Sequence, residues 1–172
     1  MKKIIFIILM MVAATSGYAQ NNVITDLFNQ YYDDENFTKV SVSSKMFDLF
    51  TEIEPGDKDE EMILRAISKL EGLKILAADS IGNSRKMFDD AVKKISSKGY
   101  EELMEVKDAE EDMKFMIKDA NGKITELVMV IGGRKQFVIL SLYGEIDLKS
   151  ISKLSKSMNI EGLEHLEHIE SN

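Results

Sequence analysis

From Tyr100 onward the apolar residues recur at every second position, and this constrains the chain more than anything else in it. ELMEVK, DMKFMIK, KITELVMVI and QFVILSLY are four strand-like segments joined by short polar links. A period of two places alternate side chains on opposite faces of a sheet. Asn121-Gly122 lies between the second and third segments and is a strong short-range hairpin signal. LVMVI and FVILSLY are apolar in both phases, which predicts central strands, whereas DMKFMIK and ELMEVK alternate and belong nearer an edge. Between the two apolar runs stands Gly132-Gly133-Arg134-Lys135. A phosphate loop would need GxxxxGK[ST] leading into a helix, or GxGxxG for a dinucleotide. GGRKQF has neither spacing and runs straight into a strand, so it reads as a turn.

The first half of the chain alternates helical and extended signals. VITDLFNQYYDDENF is an amphipathic start, and Val40 and Val42 alternate with serines as in a short strand. Ser44 opens a short helix carrying Met46, Phe47, Leu49 and Phe50. EIEPGDKDEE is a loop leading to a helix with acids at its start and Met62, Ile63, Ala66, Ile67 and Leu70 at 3.6-residue spacing, ended by Gly72. LKILAAD is a strand. A second amphipathic helix follows, capped by Asn83 or Ser84, built on Phe88, Ala91, Val92 and Ile95, and closed by Gly99. After the last strand, DLKSISKLSKSM returns to helix with Leu148, Ile151, Leu154 and Met158 on one face. The expected fold is α+β: an antiparallel, partly mixed sheet with a four-strand C-terminal meander and helices packed on one face.

Residues 1–19 read as a cleaved signal peptide. Lys2 and Lys3 precede the apolar run IIFIILMMVAA, and Gly17 and Ala19 stand at −3 and −1 of a cut before Gln20. The run is short for a ~30 Å hydrocarbon core. The expected location is therefore periplasmic or extracellular, without a transmembrane segment after cleavage. Residues 20–172 form one domain, with its core at about 24–160 and a flexible C-terminal tail. Cleavage would leave 20 cations against 30 acids. Such a balance disfavours nucleic acid and anionic membrane surfaces as partners. Cysteine is absent, which excludes disulfides, thiol nucleophiles and thiolate metal sites.

No residue pattern identifies a catalytic centre or a cofactor. His165 and His168 fall at i and i+3, close to Glu161 and Glu164, and are weak candidates for a metal site. They lack HExxH spacing and sit near the chain end, so surface helix decoration explains them better. Asp57, Asp59 and Glu61 imitate the first ligands of a calcium loop, but Met62 replaces its glycine and no Glu follows at position twelve. Ser150 to Lys153 matches SxxK without SDN or KTG, and a helix cap with its polar face accounts for it. Asn36-Phe37-Thr38 fits a glycosylation acceptor. The methionines fall mostly in core phase, with a partner or lipid groove as their sharper use. Arg134 and Lys135, cations on an acidic surface, are a possible contact surface, though a solvated turn also explains them.

The runs KVSVSSKMFDLF, LEGLKILAAD, YEELMEVKDAEEDMKFMIKD and ITELVMVIGGRKQFVILSLYGEIDL, followed by ISKLSKSM, resemble a family of small secreted Bacteroidetes proteins of unknown function, DUF4252. Its pattern GGxxxFxxxSLxGxIDLxxISxL occupies Gly132 to Leu154 here. The resemblance implies a Gram-negative cell envelope and supplies no catalytic residues. The expected function is binding rather than catalysis, with a protein partner first. A carrier of a small apolar or lipid ligand is the alternative, and a hydrolase the least favoured. A partner-binding protein predicts an exposed apolar patch with a polar rim. A carrier predicts a continuous apolar pocket, and a hydrolase predicts polar groups converging in a cleft.

Overall fold

A computed structural model describes residues 23–148 and Ser150. The expected signal peptide, most of the expected C-terminal helix and both histidines lie outside the described residues. In chain order the elements are α1 (Val23–Gln30), β1 (Phe37–Ser43), α2 (Ser44–Phe50), α3 (Lys58–Ile67), β2 (Leu70–Ala78), α4 (Ser84–Ser96), β3 (Glu101–Lys107), β4 (Glu111–Ala120), β5 (Lys123–Gly133) and β6 (Phe137–Ile146). The six strands form one sheet in the order β1-β2-β6-β5-β4-β3. All five pairings are antiparallel, so the mixed pairing allowed for above is not used. The meander β3–β6 is present, with β5 and β6 central and β3 at an edge, as the apolar runs required.

Both faces of the sheet are dry at its centre, because LVMVI and FVILSLY have apolar side chains in either phase. Val128, Val130, Phe137 and Ile139 form one layer with Leu76, and α1 and α4 cover it through Val23, Ile24, Phe88, Ala91 and Ile95. Leu127, Met129, Ile131 and Leu142 form the other layer with Met113 and Phe115, against which Phe47 of α2 and Leu148 pack, so the helices are not confined to one face as expected. Each fully buried residue of this size contributes about 1.5–3 kcal/mol of transfer free energy.

The turn at the GGRK stretch closes when the Gly133 N–H donates to the Gln136 carbonyl at 2.8 Å. The glycine before it answers to packing. A Cβ on Gly132 would stand 2.4 Å from the Phe88 Cβ, so glycine there lets α4 seat directly on the sheet. Asn121 and Gly122 both have positive φ, 58° and 76°, as a two-residue hairpin turn of this hand demands.

One boundary differs from expectation. The third helix ends at Ile67 with Ser68 as its cap, so Leu70 and Gly72 belong to β2. Gly72 is no helix terminator: the Tyr143 ring lies across it, and an added Cβ would fall 2.1 Å from the Tyr143 oxygen. A glycine near the end of an apolar helical pattern and one beneath an aromatic ring in a strand look alike in sequence. In α3 itself Ile63, Leu64 and Ile67 are only half-buried.

Candidate functional site

Three places bear on function. The first is a polar cluster beside α4. Helix α4 ends at Ser96 with Ser97, and not Gly99, as its cap. Gly99, at φ 82°, turns the chain just beyond, immediately before Tyr100. The Tyr100 hydroxyl donates to Glu126 Oε2 at 2.6 Å, and Ser141 Oγ donates to Glu126 Oε1 at 2.6 Å. Glu126 is only 5% exposed. Burial first, then the hydrogen bond to Glu126, holds the Tyr100 hydroxyl far above the ordinary tyrosine value. Lys118 stands opposite Glu126 across the β4–β5 pair, its ammonium 5.2 Å from the Tyr100 ring centroid. A cleft of about 420 Å³ opens here, lined by Lys118, Asp119, Lys123, Glu126, Tyr143 and Glu145 among others. Glu145 on its rim accepts from Lys123 at 2.7 Å and also from Lys69. These two ammonium groups, Lys123 foremost, hold its carboxyl down at about 2.

Polar groups converge here, but the geometry opposes nucleophilic catalysis by Ser141. It is 1% exposed and its hydroxyl is committed to Glu126. A nucleophile must reach the substrate atom, and this one is sealed. Both Glu126 oxygens already accept a hydroxyl donor. The cluster is a satisfied buried network that ties the link between α4 and β3 to β5 and β6. Sequence reasoning missed it. The available signal was Glu126 in phase with Val128 and Val130, a lone charge in an otherwise inward-facing series.

The second place holds the two turn cations. The β2–β6 register sets Gly72 beside Tyr143 at one end of the sheet and Ala78 beside Phe137 at the other. Arg134 and Lys135 lie at the Phe137 end, away from Glu126. Arg134 is exposed and pairs with Glu110 at 3.0 Å, and the Lys135 carbonyl accepts from the Ile81 N–H at 2.9 Å. An open cleft of about 350 Å³ adjoins both, with Asp79, Ser80 and Glu111 among its walls. Nearby, Asp112 is buried, with Oδ2 accepting from Arg85 at 2.8 Å and Oδ1 unpartnered. Arg134 is thus neutralised by an acid of its own surface. Among the described residues no three His, Asp or Glu side chains gather as a metal site, and His165 and His168 lie outside them.

The third place is α2 and the link to α3. Met46 is 49% exposed, Leu49 59% and Ile53 51%, with Phe50 also exposed. No residue of α2 is fully buried. Lys45, Asp48, Glu52 and Glu54 surround these apolar groups in the chain, all exposed. Sequence reading placed Met46, Phe47, Leu49 and Phe50 on one short helix without assigning them a face. The structure divides them, with Phe47 against the sheet and the other three towards solvent.

Two further observations frame these surfaces. Among the described residues no helix is long and apolar enough to cross a membrane. The family model for a domain of unknown function, DUF4252, matches residues 31–154, while no curated protein and no solved structure matches the chain.

Proposed function

The chain belongs to the DUF4252 family, and we propose that it is a non-enzymatic, exported binding protein of the cell envelope that engages a protein partner. The observation that carries this reading is the apolar surface of Met46, Leu49, Phe50 and Ile53, held in water by a helix with no buried residue. Leaving such groups hydrated forfeits about 25 cal/mol for every Å² that burial would remove from water. A patch of this kind with a charged rim is characteristic of a docking surface. Export is supported by Lys2-Lys3, the apolar run behind them and the small residues before Gln20.

The carrier reading needs room between α4 and the sheet. Phe88 meets Gly132 too closely for even a methyl group, and the layer around it is filled by Val128, Val130 and Ile139, each fully buried. Native mass spectrometry of the protein isolated gently from its own host tests both readings. The expected result is a chain beginning at Gln20 and a protein-sized adduct that Leu49→Ser removes. A reproducible lipid-sized adduct would overturn partner binding in favour of a carrier, and a chain still beginning at Met1 would overturn cleavage.

A further inference from the structure

We infer that α2 and the α2–α3 link receive a basic amphipathic helix of the partner, an inference that rests on the partner-binding reading above and specifies the partner's chemistry. The exposed apolar groups stand at helical spacing. Met46, Leu49 and Phe50 are i, i+3 and i+4 on α2, and Ile53 follows three residues further on. A ridge so spaced packs into the groove between side-chain rows of another helix. Met46 gives that contact an adaptable side chain. Beside the ridge lies an open cleft of about 230 Å³, lined by Thr51, Ile53, Pro55 and Leu64 with Glu61 and Arg65. Its dimensions suit one large apolar anchor, the kind of residue that dominates helix-in-groove binding.

Charge fixes the sign of the partner. From Lys45 to Arg65 the chain has seven acids and three cations, and Arg65 is already paired with Glu61 at 2.9 Å. An acidic helix or an anionic lipid surface would meet repulsion from Asp48, Glu52 and Glu54, with Lys45 the one cation among the rim residues named above. A second copy of this chain, itself at net charge −8, would bring the same acidic excess. Lys and Arg on the polar face of an incoming helix would instead meet Asp48, Glu52 and Glu54 while its apolar face covers the ridge.

The test uses three 18-residue fluorescent peptides. One is a Leu/Lys helix with Leu at i, i+3 and i+4. The second is a scrambled peptide of the same composition, and the third a Leu/Glu helix of the same pattern. Each is titrated against the mature protein by anisotropy at low and high salt. The patterned Leu/Lys helix is expected to bind at least tenfold more tightly than its scramble. Leu49→Ser with Ile53→Ser is expected to abolish that advantage, with an unchanged circular dichroism spectrum. Glu52→Lys with Glu54→Lys is expected to weaken binding severalfold and flatten its salt dependence. Equal binding of patterned and scrambled peptides, or of the Leu/Glu helix, would overturn the inference. So would a dimer in sedimentation velocity, or adhesion to phosphatidylglycerol vesicles, that Leu49→Ser removes. If peptide binding fails while the Leu49-dependent protein adduct persists in native mass spectrometry, the partner has other chemistry. If the adduct is missing as well, the partner-binding reading fails with it.

Discussion

Tyr100→Phe removes one hydroxyl from the interior and leaves the ring in place, so it isolates the bond to Glu126. That bond is 2.6 Å long and Glu126 is 5% exposed. A hydrogen bond to a buried charged group contributes about 1.5–3 kcal/mol, and the substitution should cost about 2 kcal/mol at neutral pH. For a domain of this size that is roughly 4–8 °C in Tm. The loss should not be complete, because Ser141 still donates to the other oxygen. A second consequence is confined to alkaline pH. The Tyr100 hydroxyl is held above the tyrosine value of 10.0 by burial, then by Glu126. Above pH 10 the unfolded chain therefore releases a proton that the native protein retains, and stability falls with pH. The slope attributable to this group is at most about 1.4 kcal/mol per pH unit, and Tyr100→Phe should lack it. Urea unfolding followed by far-ultraviolet circular dichroism, from pH 7 to 11, measures both effects in a chain without tryptophan. A neutral-pH loss below about 0.5 kcal/mol, or the same alkaline slope in both proteins, would refute the reasoning.

Gly132→Ala sets a Cβ 2.4 Å from the Phe88 Cβ and should cost about 1–3 kcal/mol by overpacking. Because the conflict is with Phe88 Cβ, trimming that residue to alanine should give no rescue, which thermal unfolding of the double variant checks. Glu145 is held at about 2 by Lys123 and then Lys69. Its contribution is present above the unfolded value of 4.5 and is lost as pH falls from there towards 2. Glu145→Gln should therefore be less sensitive to acid over that window in a pH series of urea midpoints. Arg85→Met strips buried Asp112 of its ion-pair partner and should cost about 1–3 kcal/mol. Asp112→Asn in the same background should recover part of that, and a double-mutant cycle shows whether it does.

What was legible in the sequence follows from the range of the interaction involved. Asn121-Gly122, the alternation of β3 and β4 and the 3.6-residue period of α4 act over a few residues, and each is visible in a short window. GGRK was legible as a turn because spacing alone excludes a phosphate loop. The reason for Gly132 was hidden, since Phe88 lies 44 positions away in the chain. The Tyr100–Glu126–Ser141 cluster spans 26 and 15 positions and exists only once the link between α4 and β3 meets β5 and β6 in register. Gly72 was misread because the Tyr143 ring above it comes from a strand paired much later. The apolar residues of α2 were visible as a short helix, but which of them meet the sheet depends on how β1 and β2 position it. Phe47 goes inward and Leu49 is left in water.

The central claim concerns the solvent-facing side of α2, and a photo-crosslinking amino acid placed at Leu49 in producing cells tests it most directly. A second protein with the same group at Lys98, an exposed position just beyond α4, serves as the comparison. The account predicts a discrete protein adduct from position 49 that position 98 does not give. Identical adduct patterns from both positions, or no protein adduct from position 49, would contradict it.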